Sequence, residues 1–131
     1  MLLVLACANP ALEHFKQGAT YRAQSQWDEA IAAYTKAIEA DRDFAMAYNN
    51  RGHSYAMKQE YNKAIGDFTK AIELDPKQDV PYYNRAEIFV TIGEPEKAIA
   101  DLEKFVELSQ DPTRIQIAQH LLAELRPETA P

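Results

Sequence analysis

Three alanines in this chain stand at equal intervals, Ala30, Ala64 and Ala98 being 34 residues apart. The same offset superimposes WDEAIAAYTKAIEAD (Trp27 to Asp41), YNKAIGDFTKAIELD (Tyr61 to Asp75) and PEKAIADLEKFVELS (Pro95 to Ser109). Upstream, Gly18, Gly52 and Ala86 form a column of small residues, and Tyr21, Tyr55 and Phe89 an aromatic column three places later. An exact recurrence of this length leaves few folds open. Each copy must be one supersecondary unit, too small to bury its own apolar face, and neighbouring copies must stack to make a continuous core.

Within a copy the pattern reads as two helices of about 14 residues joined by a short polar turn, at Ala23 to Gln26, Lys58 to Glu60 and Gly93-Glu94. In the first helices Gly18, Gly52 or Ala86 should let a neighbouring backbone approach. In the second helices Ala30, Ala64 and Ala98 should do the same, while Tyr34, Phe68 and Leu102 supply bulk on that face. Asn9-Pro10, Asp79 and Asp111-Pro112 read as caps or first-turn prolines, and Pro95 and Pro76 fit a first turn and a closing loop. After the third copy, Ile115, Ala118, Leu122 and Leu125 make an apolar stripe on a helix that is polar elsewhere, as expected of a cap over the last open face; Ile117 and Leu121 should flank the core. The chain therefore divides into an apolar segment at 1–9, a repeat domain at 10–126 with copies at 11–44, 45–78 and 79–112 and a capping helix at 112–125, and a tail at 127–131 expected to be disordered.

The order of these residues resembles the tetratricopeptide repeat (TPR) family over nearly the whole chain. The second copy is nearest, with Tyr48, Gly52, Tyr55, Ala64, Phe68, Ala71 and Pro76, and departs at Arg51, where the family usually has leucine. The first departs at His14 and Arg42, the third at Ala86, Leu102 and Phe105. The resemblance implies an all-α fold, a right-handed α-α superhelix of seven helices whose first helices line a concave groove. It also implies a non-enzymatic scaffold or adaptor that holds an extended peptide or a partner protein there. Self-association, or service as a targeting subunit of a larger complex, is the alternative.

By the same resemblance, the groove residues are Phe15 and Lys16 in copy 1, Met46, Asn49, Asn50, His53 and Met57 in copy 2, and Tyr83, Asn84 and Glu87 in copy 3. Asn50 and Asn84, one repeat apart, resemble the asparagines with which such grooves grip a peptide backbone, since a carboxamide offers both a donor and an acceptor. The clamp rich in lysine and arginine that holds chaperone C-termini is not expected. Its places carry Phe15, Ala19, Asn50, Val80 and Asn84, which leaves a terminal carboxylate without charge-assisted bonds. Lys16 and Arg22 leave the copy 1 end mildly basic.

Composition narrows the partners further. Lysine plus arginine total 14 against 20 aspartate plus glutamate, a net charge of -6 that disfavours nucleic acid. His14, His53 and His120 fall in different helices without a second ligand at metal-binding spacing, and four glycines give no phosphate-binding loop, so no metal, cofactor or small-molecule substrate is expected. Cys7 is the only cysteine and cannot form an internal disulfide. Val4-Leu5-Ala6-Cys7 looks like a lipobox, which would make Cys7 a lipid anchor. Against this, the run lacks a positive start, and only six residues precede the cysteine where a signal has roughly 15 to 30. A cytoplasmic protein is the expectation and a membrane-anchored bacterial lipoprotein the alternative.

Overall fold

A computed structural model of the protein describes residues 8–127. Among the described residues seven helices follow one another: α1 (Pro10–Ala23), α2 (Trp27–Ala40), α3 (Ala45–Met57), α4 (Tyr61–Leu74), α5 (Val80–Thr91), α6 (Pro95–Leu108) and α7 (Pro112–Leu125). The described residues contain no strand, and the fold is the all-α superhelical stack that the repeat implies. Cys7, the lipid anchor of the alternative reading, lies outside the described residues, as do all but Pro127 of the expected tail. Among the described residues no helix is long and apolar enough to cross a membrane.

Each helix packs on the next, and in addition α1 meets α3 and α3 meets α5. The odd helices thus crowd one side of the stack, which becomes the inside of its curve. The three hairpin turns are built alike. Gln26, Glu60 and Glu94 donate their backbone N–H to Tyr21, Tyr55 and Phe89 five residues back, at 2.9, 3.0 and 2.8 Å. Ser25, Gln59 and Gly93 donate to Arg22, Ala56 and Val90. This double bond pattern closes a helix through a residue in the left-handed region, and φ is 57° at Ser25, 60° at Gln59 and 77° at Gly93. Only the third turn has glycine, which holds that conformation without a Cβ penalty.

Helix starts are less uniform. Asn9 Oδ1 accepts from Leu12 N–H, and Asp111 Oδ1 accepts from Thr113 and Arg114 N–H. Asp79, expected to cap α5, is itself helical (φ -75°, ψ -41°), so its side chain caps nothing. The loops before α3 and α5 are tied instead by aromatic hydroxyls, Tyr48 donating to Arg42 O at 3.1 Å and Tyr82 to Pro76 O at 2.9 Å.

The small-residue column works differently from the expectation. A Cβ on Gly18 would lie 2.6 Å from the Tyr34 ring, and one on Gly52 would lie 2.9 Å from the Phe68 ring. It is a ring of the second helix that rests on each glycine, not a neighbouring backbone. In copy 3 both members change together: Ala86 brings a methyl and Leu102 lacks the ring. Phe105, standing where the family has alanine, is fully buried in the largest apolar cluster, which joins α5 and α6 to Ala118 and Leu122 of α7. Leu121 packs against that cluster, whereas Ile117 is 48% exposed.

Arg51 crosses three helices. Its Nε and Nη2 donate to the two carboxylate oxygens of Asp67 on α4, both at 2.8 Å, and Nη1 donates to Thr35 Oγ1 on α2 at 3.1 Å. Thr35 Oγ1 in turn donates to Ile31 O at 2.7 Å. One repeat on, Arg85 does the same with Asp101 (2.8 and 2.7 Å) and Thr69 (3.0 Å). Each guanidinium therefore fastens its own hairpin and ties it to the hairpin before. Planar bidentate pairing is the strong form of this contact.

Candidate functional site

The inner faces of α1, α3, α5 and α7 form the groove. On it the carboxamides of three asparagines join head to tail: Asn84 Nδ2 donates to Asn49 Oδ1 at 3.1 Å, and Asn49 Nδ2 donates to Asn50 Oδ1 at 3.2 Å. All three are half-buried. The first bond spans α5 and α3, so the ladder runs along the groove. It leaves Asn84 Oδ1 as an acceptor at one end and Asn50 Nδ2 as a donor at the other, both unused by the ladder itself. Asn50 and Asn84 were the expected gripping pair. The structure adds Asn49 as the link between them, so the two amides do not act separately.

Beyond Asn50 lies the Tyr34 hydroxyl. It is fully buried, close to Asn50 and Arg22, and has no aligned hydrogen-bond partner. Burial pushes the phenol up, with Arg22 opposing. His53 sits farther along α3, its ring edge-on to Trp27 at 6.2 Å, and its Nδ1 is buried without a partner. Burial, reinforced by Arg22, lowers its value and keeps the imidazole neutral.

At the other end Tyr83 lies on Phe105 at 5.1 Å, and the Arg114 guanidinium of α7 stands 5.2 Å from each ring centre. Glu87 is open to solvent on one side, yet the groove walls crowd it and raise its carboxyl, with Arg114 partly offsetting that. Arg114 was not among the expected site residues. Its place is one repeat after Val80, so carrying the 34-residue register into the cap would have found it.

The remaining expected residues divide. Met46 and Met57 are 49% and 51% exposed, free apolar surface of the adaptable kind. Lys16 is exposed and paired loosely with Glu13 at 3.7 Å. Phe15 is occupied in packing: its ring meets Phe44 at 4.8 Å and Tyr34 at 5.7 Å, and it backs the cluster of Ala37, Ile38 and Ala47. No group of three or more histidine, cysteine, aspartate or glutamate side chains that could hold a metal exists among the described residues.

Family models agree with this architecture. One described as TPR repeat matches residues 18–59, and two described as tetratricopeptide repeat match 45–78 and 68–100, together spanning more than half of the chain. The chain is a tetratricopeptide repeat protein. No curated protein sequence matches it. Among solved structures, this TPR chain is similar to the first TPR of Spaghetti (RPAP3) bound to HSP90 peptide SRMEEVD, with a TM-score of 0.83, 25% identity, and 93% of this chain and 94% of that one covered. The TPR2B domain of yeast Sti1 in its pHsp70 complex gives 0.83, 26%, 90% and 97%. The Arabidopsis OM64 TPR domain gives 0.82, 25%, 88% and 95%.

The groove histidine has a consequence for stability. Because the folded value of His53 lies below its ordinary 6.5, the unfolded chain takes up that proton first as the pH falls, and acidification through this window should destabilise the fold. Glu87 acts in the opposite sense: its folded value lies above its ordinary 4.5, so the folded form is favoured as that carboxyl protonates. Urea midpoints measured across the window for wild type and His53→Gln should show the variant losing the histidine part of the slope. Parallel curves would mean that His53 titrates as it does in the unfolded chain.

Proposed function

We propose that this TPR domain is a non-catalytic holder of another protein, and that an extended segment of that partner lies along the inner groove against the Asn50–Asn49–Asn84 ladder. The ladder is the observation that carries this reading. Its two ends are an acceptor, Asn84 Oδ1, and a donor, Asn50 Nδ2 beside the Tyr34 hydroxyl, the complement of a peptide N–H and C=O, and they recognise backbone without regard to sequence. Tyr83, Met46 and Met57 add apolar contact beside it. The Sti1 and RPAP3 domains of similar fold hold chaperone peptides, which supports a peptide as the occupant. In this chain Phe15, Ala19 and Val80 stand at the clamp positions, so a terminal carboxylate has no lysine or arginine there.

The test is a pull-down with wild type and with Asn50→Ala/Asn84→Ala, followed by titration of a synthetic peptide from the captured protein. Losing these bonds should weaken binding about ten- to a hundredfold, since a neutral bond contributes about 0.5–1.5 kcal/mol and a stranded ligand group costs more. The Asn84 to Asn49 bond also crosses two helices, so the double variant should be slightly less stable than wild type. Tyr83→Ala should weaken binding, and Lys97→Ala on α6 should leave it unchanged. Equal binding by the double variant would move the site off the groove. A mass that rises with concentration in light scattering would make a second copy of this chain the occupant.

A further inference from the structure

Two clefts open side by side on the inner face, and they are repeat images of each other. The first, about 300 Å³, is lined by His53, Ala56, Met57, Phe68 and Glu87, with Tyr61 at its edge. The second, about 230 Å³, is lined by Glu87, Val90, Thr91, Leu102 and Leu121. Each of those five positions stands 34 residues after its counterpart in the first. Glu87 and Thr91 line both clefts and form the ridge between them.

Their chemistry differs. The first presents the Glu87 carboxyl beside Met57 and Tyr61, which suits a large side chain with an apolar body and a donor at its tip. The second has aliphatic walls, Val90, Leu102 and Leu121, and suits a branched aliphatic side chain. The clefts are one repeat apart along the inner face, where α3 meets α5, and helices in contact lie about 8–10 Å from axis to axis. In a polyproline-type segment, with three residues per turn and about 3.1 Å rise, residues three apart point the same way about 9 Å from each other. In a strand the residues sharing a side are two or four apart, at about 6.6 or 13 Å.

We propose that the groove selects an extended polyproline-type segment of a partner protein carrying a tyrosine and a leucine three residues apart, with the tyrosine in the His53–Glu87 cleft and the leucine in the Val90–Leu121 cleft. This rests on the groove reading above and names the side chains that it would recognise.

The experiment uses capped, dye-labelled synthetic peptides of alanine and proline that carry one tyrosine and one leucine at separations of one to five residues, in both orders. Each is titrated against the whole protein by fluorescence anisotropy. The three-residue separation, in one of the two orders, should bind about tenfold or more tighter than its neighbours. Val90→Asp should abolish the gain from leucine and leave the gain from tyrosine, and Met57→Asp the reverse. Both positions are exposed, at 40% and 51%, so these variants should melt as wild type does. Binding without dependence on separation, but weakened by Asn50→Ala/Asn84→Ala, would overturn this proposal and keep the groove. Binding that ignores both sets of substitutions, or no binding by any peptide, would overturn both.

Discussion

Arg51→Ala should destabilise the protein by about 3–5 kcal/mol, the range for removing one partner of a buried ion pair and leaving the other charge stranded. Asp67 is only 7% exposed, and both of its oxygens are held by this one guanidinium. Pairing with Asp67 in turn holds Arg51 in its charged form against the cost of its own burial. Arg51→Leu combined with Asp67→Ala should recover most of the loss, because two apolar residues leave no uncompensated charge. Urea unfolding of the three proteins checks both statements. A single variant within about 1 kcal/mol of wild type would mean that water reaches Asp67 and that the pair contributes no more than an exposed one.

Gly18→Ala should have the next largest effect, about 1–3 kcal/mol, as expected for bulk forced into a filled contact. The added methyl would meet Cε1, Cδ1 and Cζ of Tyr34 at 2.6, 2.7 and 2.9 Å, and Tyr34 is fully buried with nowhere to retreat. Copy 3 shows the remedy, for there alanine faces leucine. Gly18→Ala with Tyr34→Leu should therefore cost clearly less than the sum of the two single changes, a coupling of about 0.5–3 kcal/mol between residues in contact. Thermal melts of the four proteins in that cycle decide the matter. Additive losses would mean that the ring shifts aside and that the pairing in copy 3 is incidental.

These two contacts mark where the sequence could be read and where it could not. Periodicity identifies equivalent residues, so the helices, the turns and the stacking of α7 over the third hairpin were legible from the apolar spacing. It does not say which residues reach one another. Arg51 reads as a departure from the family's leucine, although Arg51 and Arg85, Asp67 and Asp101, and Thr35 and Thr69 all recur at the repeat interval. That triple recurrence was the available signal. Phe15 falls at a groove position by register, but its ring turns to Phe44 and Tyr34, because an aromatic at the start of the stack has core to fill. Asn50 and Asn84 were visible as a pair, whereas their dependence on Asn49 needs side-chain directions across two helices. Asp79 reads as a cap, yet its backbone is already helical and Tyr82 secures that loop.

The arginine fastenings also give the three hairpins a grammar. Hairpin 2 carries the whole set: Arg51 for the hairpin before it, Asp67 for itself and Thr69 for the one after. A duplicate of it set behind the original would find every partner in place, so it can serve as a middle word any number of times. Hairpin 1 lends Thr35 forward but has Gln17 and Ala33 where the arginine and aspartate would be, so it holds no guanidinium of this kind. Hairpin 3 donates backward through Arg85, which Asp101 holds, but offers Glu103 in place of the threonine, and Glu103 is bound instead by Arg126 just past α7. Shuffling the three would leave guanidiniums facing the wrong neighbours, and so the order of these look-alike units is written in their side chains.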